Sequence, residues 1–321
     1  LKNDREIILA AIDQSYSSIE YVSDEIKNDT DIMLNVVGSH GPSLRYASNE
    51  LRNDSEVVLA AINQHAHALV YASTDRKNDF EIVLAAVKKH GLSLKYASNE
   101  LKNDREIILA AIDQSYSSIE YVSDEIKNDT DIMLNVVGSH GPSLRYASNE
   151  LRNDSEVVLA AINQHAHALV YASTDRKNDF EIVLAAVKKH GLSLKYASNE
   201  LKNDREIVFA SVNQDAHSLI SASTELKNDY EIVLAAVKKH GPSLRYASNE
   251  LKNDREIVLA AVNQHGKALE HASHELKNSF EFLLLAAKNN LYSMKFVSRE
   301  LNYHRDAFLI VVKQDGTLLE R

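Results

Sequence analysis

The stretch from Leu251 to Glu275 reads LKNDREIVLAAVNQHGKALEHASHE, and it is one copy of a 25-residue unit that fills the chain. Its opening phrase, Leu-Lys-Asn-Asp or a close variant, recurs with repeats starting at residues 1, 26, 51, 76, 101, 126, 151, 176, 201, 226, 251, 276 and 301. A fixed period of about 20 to 50 residues is the sequence signature of a repeat architecture. The chain is therefore interpreted as one repeat domain over residues 1–321.

A larger period and two atypical ends accompany the repeat. Residues 101–200 reproduce residues 1–100 without a difference, which a recent duplication or engineering would both produce, and we favour duplication. The last repeat, beginning Leu301-Asn302-Tyr303-His304, loses the Asn-Asp pair, so we expect it to be a C-terminal capping repeat. Because the chain starts at Leu1 without an initiator Met, we expect it to be a piece of a longer protein.

The first half of the repeat predicts an amphipathic helix, which we call helix A. Asn253 or Asp254 can cap its start, and Glu256 follows Asn253 at capping-box spacing. His265 in the last turn suits the negative end of the helix dipole, and Gly266 suits a left-handed residue after the helix. The apolar residues between these ends have helical spacing: Ile257, Val258, Ala261 and Val262.

The second half predicts a shorter helix of about two turns. In three repeats a proline follows the glycine, at Pro42, Pro142 and Pro242, where proline fits a first helical turn. The inward face of this helix is expected to carry Leu269, Ala272, Ser273 and Leu276. Helices this short need neighbours to be stable. The predicted fold class is all-α, a right-handed α-solenoid of about thirteen two-helix repeats.

Composition narrows the classes of function. The 321 residues include no cysteine, which excludes disulfides and thiolate zinc sites. The formal net charge of −10 opposes binding to nucleic acid, although Lys88-Lys89 and Lys238-Lys239 form small basic clusters. No apolar run reaches the roughly 18 residues of a membrane span, so we expect no membrane insertion.

The repeat resembles an uncharacterised family of short α-helical repeats, with the consensus LKNDxExVLAAVxxxGxxLxYAS. The most specific matching pieces are the Asn203-Asp204 pair and the run Leu244-Arg245-Tyr246-Ala247-Ser248. The resemblance implies a helical repeat fold and no established activity or catalytic residue. The chain departs from the pattern at Ser221, His271, Ser279 and His304, where we expect different packing or binding.

Histidine occupies the fifteenth position in eight repeats: His40, His65, His90, His140, His165, His190, His240 and His265. Stacking would align them, and such a row could bind metal, respond to pH or contact an anion. We favour the simpler interpretation that each histidine caps helix A. His65 and His67 are a weak candidate for a metal clip, and no metal or other cofactor is predicted. Protonating all 14 histidines would change the formal charge from −10 to about +4.

The twenty-first position is aromatic in ten of twelve repeats, from Tyr21 to Phe296, and we interpret this row as packing between repeats rather than as a binding surface. Asparagine at the third position and serine at the twenty-third are interpreted as caps or inter-repeat hydrogen bonds. Specificity is expected at the variable fifth, seventeenth and twentieth positions. The predicted partner contacts there are Phe80, Phe180, Tyr230, Arg45, Lys95 and His67.

Catalytic and cofactor motifs such as G-x-G-x-x-G, the P-loop, H-E-x-x-H and the nucleophile elbow do not occur in the sequence. We therefore expect no enzymatic activity. The leading hypothesis is a scaffold that binds a protein or peptide. The alternatives are a structural spacer or self-associating filament subunit, and the recognition arm of a larger effector or enzyme.

Overall fold

The computed structural model of the chain describes residues 5–296 and Lys313, and every regular element in that part is a helix. The chain forms two compact units, Leu1–Leu151 and Arg152–Arg321. Each unit is an all-α stack of repeats, as the sequence predicts. The expected capping role of the repeat that starts at Leu301 lies outside the described residues, as does His304.

Each described repeat contains helix A, a ten-residue α-helix that starts at the fifth position. In the first unit these helices are Arg5–Gln14, Thr30–Ser39, Ser55–Gln64, Phe80–Lys89, Arg105–Gln114 and Thr130–Ser139. In the second unit they are Ser155–Gln164, Phe180–Lys189, Arg205–Gln214, Tyr230–Lys239, Arg255–Gln264 and Phe280–Asn289.

The predicted second helix consists of two shorter elements. The first is a six-residue 3-10 helix, at Tyr16–Tyr21, Gly41–Tyr46, Ala66–Tyr71, Gly91–Tyr96, Tyr116–Tyr121, Gly141–Tyr146, Ala166–Tyr171, Gly191–Tyr196, Ala216–Ser221, Gly241–Tyr246, Gly266–His271 and Leu291–Phe296. The second is a short α- or 3-10 helix, which we call the linker helix, at Asp24–Lys27, Leu51–Asn53, Thr74–Lys77, Leu101–Asn103, Asp124–Lys127, Leu151–Asn153, Thr174–Lys177, Leu201–Asn203, Leu226–Asn228, Leu251–Asn253 and His274–Asn278. A serine separates the two because its side chain caps the linker helix, as Ser273 accepts from the Leu276 amide.

The start of helix A is fixed by the aspartate of the Asn-Asp pair. Asp254 is the N-cap, and its carboxylate accepts a hydrogen bond from the Ile257 amide at 2.8 Å. Asn253, the other candidate cap, lies one residue earlier and closes the linker helix. The negative aspartate also suits the positive end of the helix dipole.

The core of the stack is the apolar stripe that the sequence predicts. Ile257, Val258, Ala261 and Val262 are fully buried in helix A. Leu269 is fully buried in the 3-10 helix, and Ala272 and Leu276 are almost so. Burial of an aliphatic side chain contributes about 1.5–3 kcal/mol, so contact with the neighbouring repeats stabilises helices that would be marginal alone.

The glycine after helix A has a different role from the one expected. Among the described residues no glycine has a positive φ, so the predicted left-handed Gly266 is wrong. Gly241 lies instead where a Cβ atom would be 2.3 Å from the carbonyl oxygen of Ala261 in the next repeat. Its amide donates to Gln264 Oε1 at 2.6 Å. Glycine is needed there because two backbones approach closely.

The first residue of helix A, at the fifth position, contacts the following repeat. Arg5 pairs with Asp29 and Asp31, each at 3.2 Å. Arg205 repeats the pattern, pairing with Asp229 at 2.9 Å and also with Glu231. Exposed pairs of this kind contribute at most about 1 kcal/mol each, so they adjust the stacking rather than drive it.

Candidate functional site

One edge of each repeat is a hydrogen-bonded ladder formed by the third, twenty-third and twenty-fifth positions, which we call the asparagine ladder. Ser273 Oγ donates to Asn253 Oδ1 at 2.5 Å, and Asn253 Nδ2 donates to Glu275 at 2.9 Å. The Ser273 amide also donates to the Lys252 carbonyl at 2.8 Å. Equivalent Ser-to-Asn bonds run from Ser48, Ser73, Ser98, Ser148, Ser173, Ser198, Ser223 and Ser248. The serine is thus a cap, as one of the two interpretations states, and its bond to asparagine lies within one 25-residue repeat rather than between repeats.

A second edge is formed by the ends of helix A and the 3-10 helices. Successive 3-10 helices pack against one another throughout each unit. Their stacking brings the fifteenth, seventeenth, twentieth and twenty-first positions of neighbouring repeats together. We call the surface formed by these four positions the histidine–tyrosine surface.

Three histidines of the first unit lie close together on this surface. The ring centroid of His67 is 4.5 Å from that of His90 and 5.5 Å from that of His65. Tyr96 contacts His67 edge-on at 5.7 Å. The three histidines line a depression of about 480 Å³ together with Gln64, Ala66 and Lys89. The duplicated residues His165, His167 and His190 line a similar depression in the second unit.

A further depression of about 480 Å³ in the second unit is lined mostly by cationic and titratable groups. The centroids of His217 and His240 are 4.3 Å apart. The residues that line it are His217, His240, Pro242, Arg245, Tyr246, His265, Lys267, Glu270 and His271. With one carboxylate among these side chains, the depression suits an anionic group, particularly when the histidines are protonated.

Cations lie over the tyrosine rings of alternate repeats. The pairs, with the distance from the cationic atom to the ring centroid, are Arg45 over Tyr46 at 4.7 Å, Lys95 over Tyr96 at 4.6 Å, Arg145 over Tyr146 at 4.4 Å, Lys195 over Tyr196 at 4.6 Å and Arg245 over Tyr246 at 5.1 Å. Stacking on an aromatic face holds a cation in place and leaves its charge available. These tyrosines are half-buried, so each ring packs between repeats on one side and contacts an exposed cation on the other.

Four histidines on the surface hold protons weakly. Partial burial lowers the pKa of His67, and the neighbouring His90, Lys95 and His65 lower it further. The same causes lower the pKa of His167. Burial, then His217 and His265, lower the pKa of His240, against an opposing effect of Asp215. For His271 burial again lowers the pKa, against an opposing effect of Glu270.

The histidines of the fifteenth position occupy the C-cap of helix A in all eight repeats. Their side chains differ from repeat to repeat. His40 stacks on Tyr16 at 5.3 Å, and its Nδ1 lies 2.9 Å from Ser43 Oγ. Within the described part of the chain, no group of three or more histidine and acidic side chains is arranged to hold a metal ion.

The predicted aromatic contacts lie at the other end of helix A. Phe80 and Phe180 are its first residues and are half-buried, whereas Tyr230 is 36% exposed. A hydrogen bond to Glu256 of the next repeat raises the pKa of Tyr230 to about 12. A ten-residue helix is about 15 Å long, so these residues do not join Arg45, Lys95 and His67 in one site.

Sequence reasoning missed two features of the histidine–tyrosine surface. Ile220, at the twentieth position, is 51% exposed beside Ser221, which replaces the usual tyrosine. The cation–tyrosine pairs were not predicted because Arg45 and Lys95 were considered separately from the tyrosines that follow them. The signal was the alternation of the twentieth position, which is Arg or Lys in every second repeat.

The described helices include none long and apolar enough to cross a membrane. The sequence profile of the Domain of unknown function (DUF4116) matches the chain eight times, over residues 4–48, 29–77, 79–127, 129–176, 179–227, 205–252, 229–277 and 254–302. Each match spans about two of the 25-residue repeats. No curated protein and no solved structure matches the chain.

Proposed function

The chain belongs to the DUF4116 family, whose domains have no assigned function, and we propose that it is a non-enzymatic repeat scaffold that binds a protein or peptide along the histidine–tyrosine surface. The observation that supports the proposal is the contrast between constant and variable positions on stacked elements. Within each unit, successive 3-10 helices pack together and bring the variable residues into a row. Extended rows of this kind are what helical repeat proteins use to bind polypeptides.

The chemistry of the row suits a polypeptide. Tyrosine and arginine are the residues most often found at the centre of protein interfaces, and Arg245 over Tyr246 presents both at once. The cation is already held against the ring, so little conformational entropy is lost when a partner binds it. The polar groups of the row also recur with the repeats, whereas a catalytic group is expected once.

A random peptide display library tests the proposal. It is panned against the whole chain, and the selected peptides are measured against the double variant Tyr196→Ser and Tyr246→Ser. Serine is already found at this position in Ser221, so the fold is expected to tolerate both changes. The control is the double variant Phe180→Ser and Tyr230→Ser, which removes two aromatic rings at the other end of helix A, where Ser55 occupies the equivalent position.

Peptides that use the proposed surface lose at least about tenfold in affinity on the tyrosine variant, a difference of roughly 1.4 kcal/mol, and keep their affinity on the control. Selected peptides that bind both variants equally, or a library from which nothing is enriched, would contradict the proposal. Sedimentation of the same samples detects the alternative, because a filament subunit grows in mass with concentration.

A further inference from the structure

The twentieth position alternates a cation with an aliphatic or acidic residue in both units. In the first unit it reads Glu20, Arg45, Val70, Lys95, Glu120 and Arg145. In the second it reads Val170, Lys195, Ile220, Arg245, Glu270 and Lys295. Each unit therefore has one aliphatic side chain between two cations, but Val70 is half-buried in the first unit, whereas Ile220 is exposed in the second. We call Lys195, Ile220 and Arg245 the basic–apolar strip.

The three residues of the strip lie on consecutive 3-10 helices that pack against one another, Gly191–Tyr196, Ala216–Ser221 and Gly241–Tyr246. All three side chains are exposed, and Ile220 is 51% exposed. The strip therefore offers an apolar contact between two exposed cations. Ser221 replaces the tyrosine found beside the other two positions, so no aromatic ring lies next to Ile220 in its own repeat.

The charges of the strip are available to a ligand. Lys195 lies 4.6 Å from the centroid of the Tyr196 ring, and Arg245 lies 5.1 Å from that of Tyr246. Neither forms an ion pair with a carboxylate of the described residues, unlike Arg205 on helix A of the middle repeat. Glu270 is the acid that shares the depression with Arg245, together with Lys267 and the histidines 217, 240, 265 and 271.

We propose that the basic–apolar strip binds an acidic peptide in an extended, polyproline-like conformation, with carboxylates on Lys195 and Arg245 and an apolar side chain on Ile220. This inference rests on the proposed function and assigns the chemical class of the partner. Packed helices are about 8–10 Å apart, so the two cations are about 16–20 Å apart along the stack. A polyproline II helix rises about 3.1 Å per residue with three residues per turn. The matching pattern is acid-x-x-apolar-x-x-acid, which places all three side chains on one face and the acids about 19 Å apart.

The negative charge of the whole chain does not oppose this partner at physiological salt. The formal net charge is −10, but charges separated by more than about 8 Å are largely screened at 0.15 M ionic strength. The local set of Lys195, Arg245 and Lys267 therefore decides the attraction. Salt is expected to weaken the binding because these groups are exposed.

Fluorescence anisotropy with labelled synthetic peptides tests the inference on the whole chain. The probe peptide carries Glu-x-x-Leu-x-x-Glu, with Ala, Gly and Pro at the x positions. The first control replaces both glutamates by glutamine, and the second moves them to adjacent positions with the composition unchanged. We expect each control to bind at least about tenfold more weakly than the probe.

Two variants of the protein form a matched pair. Ile220→Glu adds one negative charge to the strip and is compatible with the fold, because Glu20, Glu120 and Glu270 occupy the same position in other repeats. Arg255→Ser also lowers the net charge by one, but at the first residue of helix A, where Ser55 and Ser155 occur. Ile220→Glu is expected to weaken probe binding at least tenfold, and Arg255→Ser less than about twofold.

Three results would overturn the inference: equal binding of the glutamine peptide, equal loss in both variants, or displacement of the probe by a single-stranded oligonucleotide of the same charge at equal concentration. These results are separable from failure of the proposed function. Library peptides that need Tyr196 and Tyr246 but carry no acids would support the scaffold and exclude the acidic partner.

Discussion

The two edges of the repeat differ in how their side chains are bonded. On the asparagine ladder the same residues recur from Asn28 to Ser273 and bond to one another. On the histidine–tyrosine surface the seventeenth position alone changes from Ser17 to Pro42, His67 and Leu92 within four repeats. The comparison indicates that the residues of the ladder are needed for the fold and that the residues of the other edge are free to differ between repeats.

The sixteenth position is an exception to this comparison, because it varies between repeats and yet contacts the neighbouring repeat. This position is tyrosine, glycine, alanine or leucine in different repeats, yet Gly241 touches the next helix A. The strongest test of the comparison therefore lies on the variable edge.

Gly241→Ala is expected to have the largest effect on stability. The added Cβ would meet the Ala261 carbonyl oxygen at 2.3 Å, so the backbone must shift and strain its hydrogen bond to Gln264. Overpacking of this kind costs about 1–3 kcal/mol, and we expect the upper half of that range. Urea unfolding measures the free energy. The matched control is Ala216→Gly in the preceding repeat, expected to cost no more than about 1 kcal/mol. Equal effects of the two changes would show that the glycine contact does not matter.

Asn253→Ala is expected to have an intermediate effect, and it tests the ladder directly. It removes the acceptor of Ser273 and the donor to Glu275. A hydrogen bond contributes about 0.5–1.5 kcal/mol, so we expect a loss of about 1–2 kcal/mol in the free energy of unfolding. Asn263→Ala, on the exposed surface of helix A, is the control and is expected to change stability by less than about 0.5 kcal/mol.

A double-mutant cycle with Ser273→Ala separates the bond from other effects of the substitutions. The two changes are expected to be non-additive by at least about 0.5 kcal/mol, because each removes the same hydrogen bond. Additive losses would mean that Asn253 stabilises the linker helix by itself and that the ladder is not a network.

The stacking was predictable from sequence because it depends on local and repeated signals. Asp254 as cap, the buried Val258 stripe and the Asn253–Ser273 pairing all recur at a fixed spacing. The division of the second helix was not predicted, since the sequence places Ser273 on the inward face of one continuous helix as well as among the caps. The role of glycine was missed because a close approach between repeats leaves no mark on the sequence of one repeat.

The histidine–tyrosine surface was only partly predictable from the sequence. The residues Arg45, Lys95 and His67 were identified by their variability, and the structure places them on one edge. The aromatic rings that they contact were not predicted, because the position of each ring depends on the three-dimensional packing. Phe80 and Tyr230 share that variability but lie at the far end of helix A, where the fifth position contacts the next repeat. Variability alone therefore does not define a site.

Acidification is expected to have the smallest effect on stability. It distinguishes the two edges because the four histidines concerned lie on the histidine–tyrosine surface. The pKa values of His67, His167, His240 and His271 are lowered, chiefly by burial, so the folded chain binds protons less readily than the unfolded chain. Stability is then constant above the unfolded pKa of about 6.5 and decreases as the pH falls below it. We expect Tm to fall by a few degrees between pH 7.5 and 5.5.

The triple variant His67→Ser, His167→Ser and His271→Tyr tests whether histidines of the histidine–tyrosine surface cause the pH dependence. The fold is expected to tolerate the changes, since Ser17 and the usual tyrosine occupy these positions in other repeats. Its Tm is expected to vary less with pH than that of the unchanged chain, because three of the groups with lowered pKa values are gone. Asn253→Ala, in contrast, is expected to lower Tm by the same amount at both pH values, because the hydrogen bonds it removes involve no histidine. A Tm that rises on acidification, or a pH dependence that survives in the histidine variant, would place the titrating groups elsewhere.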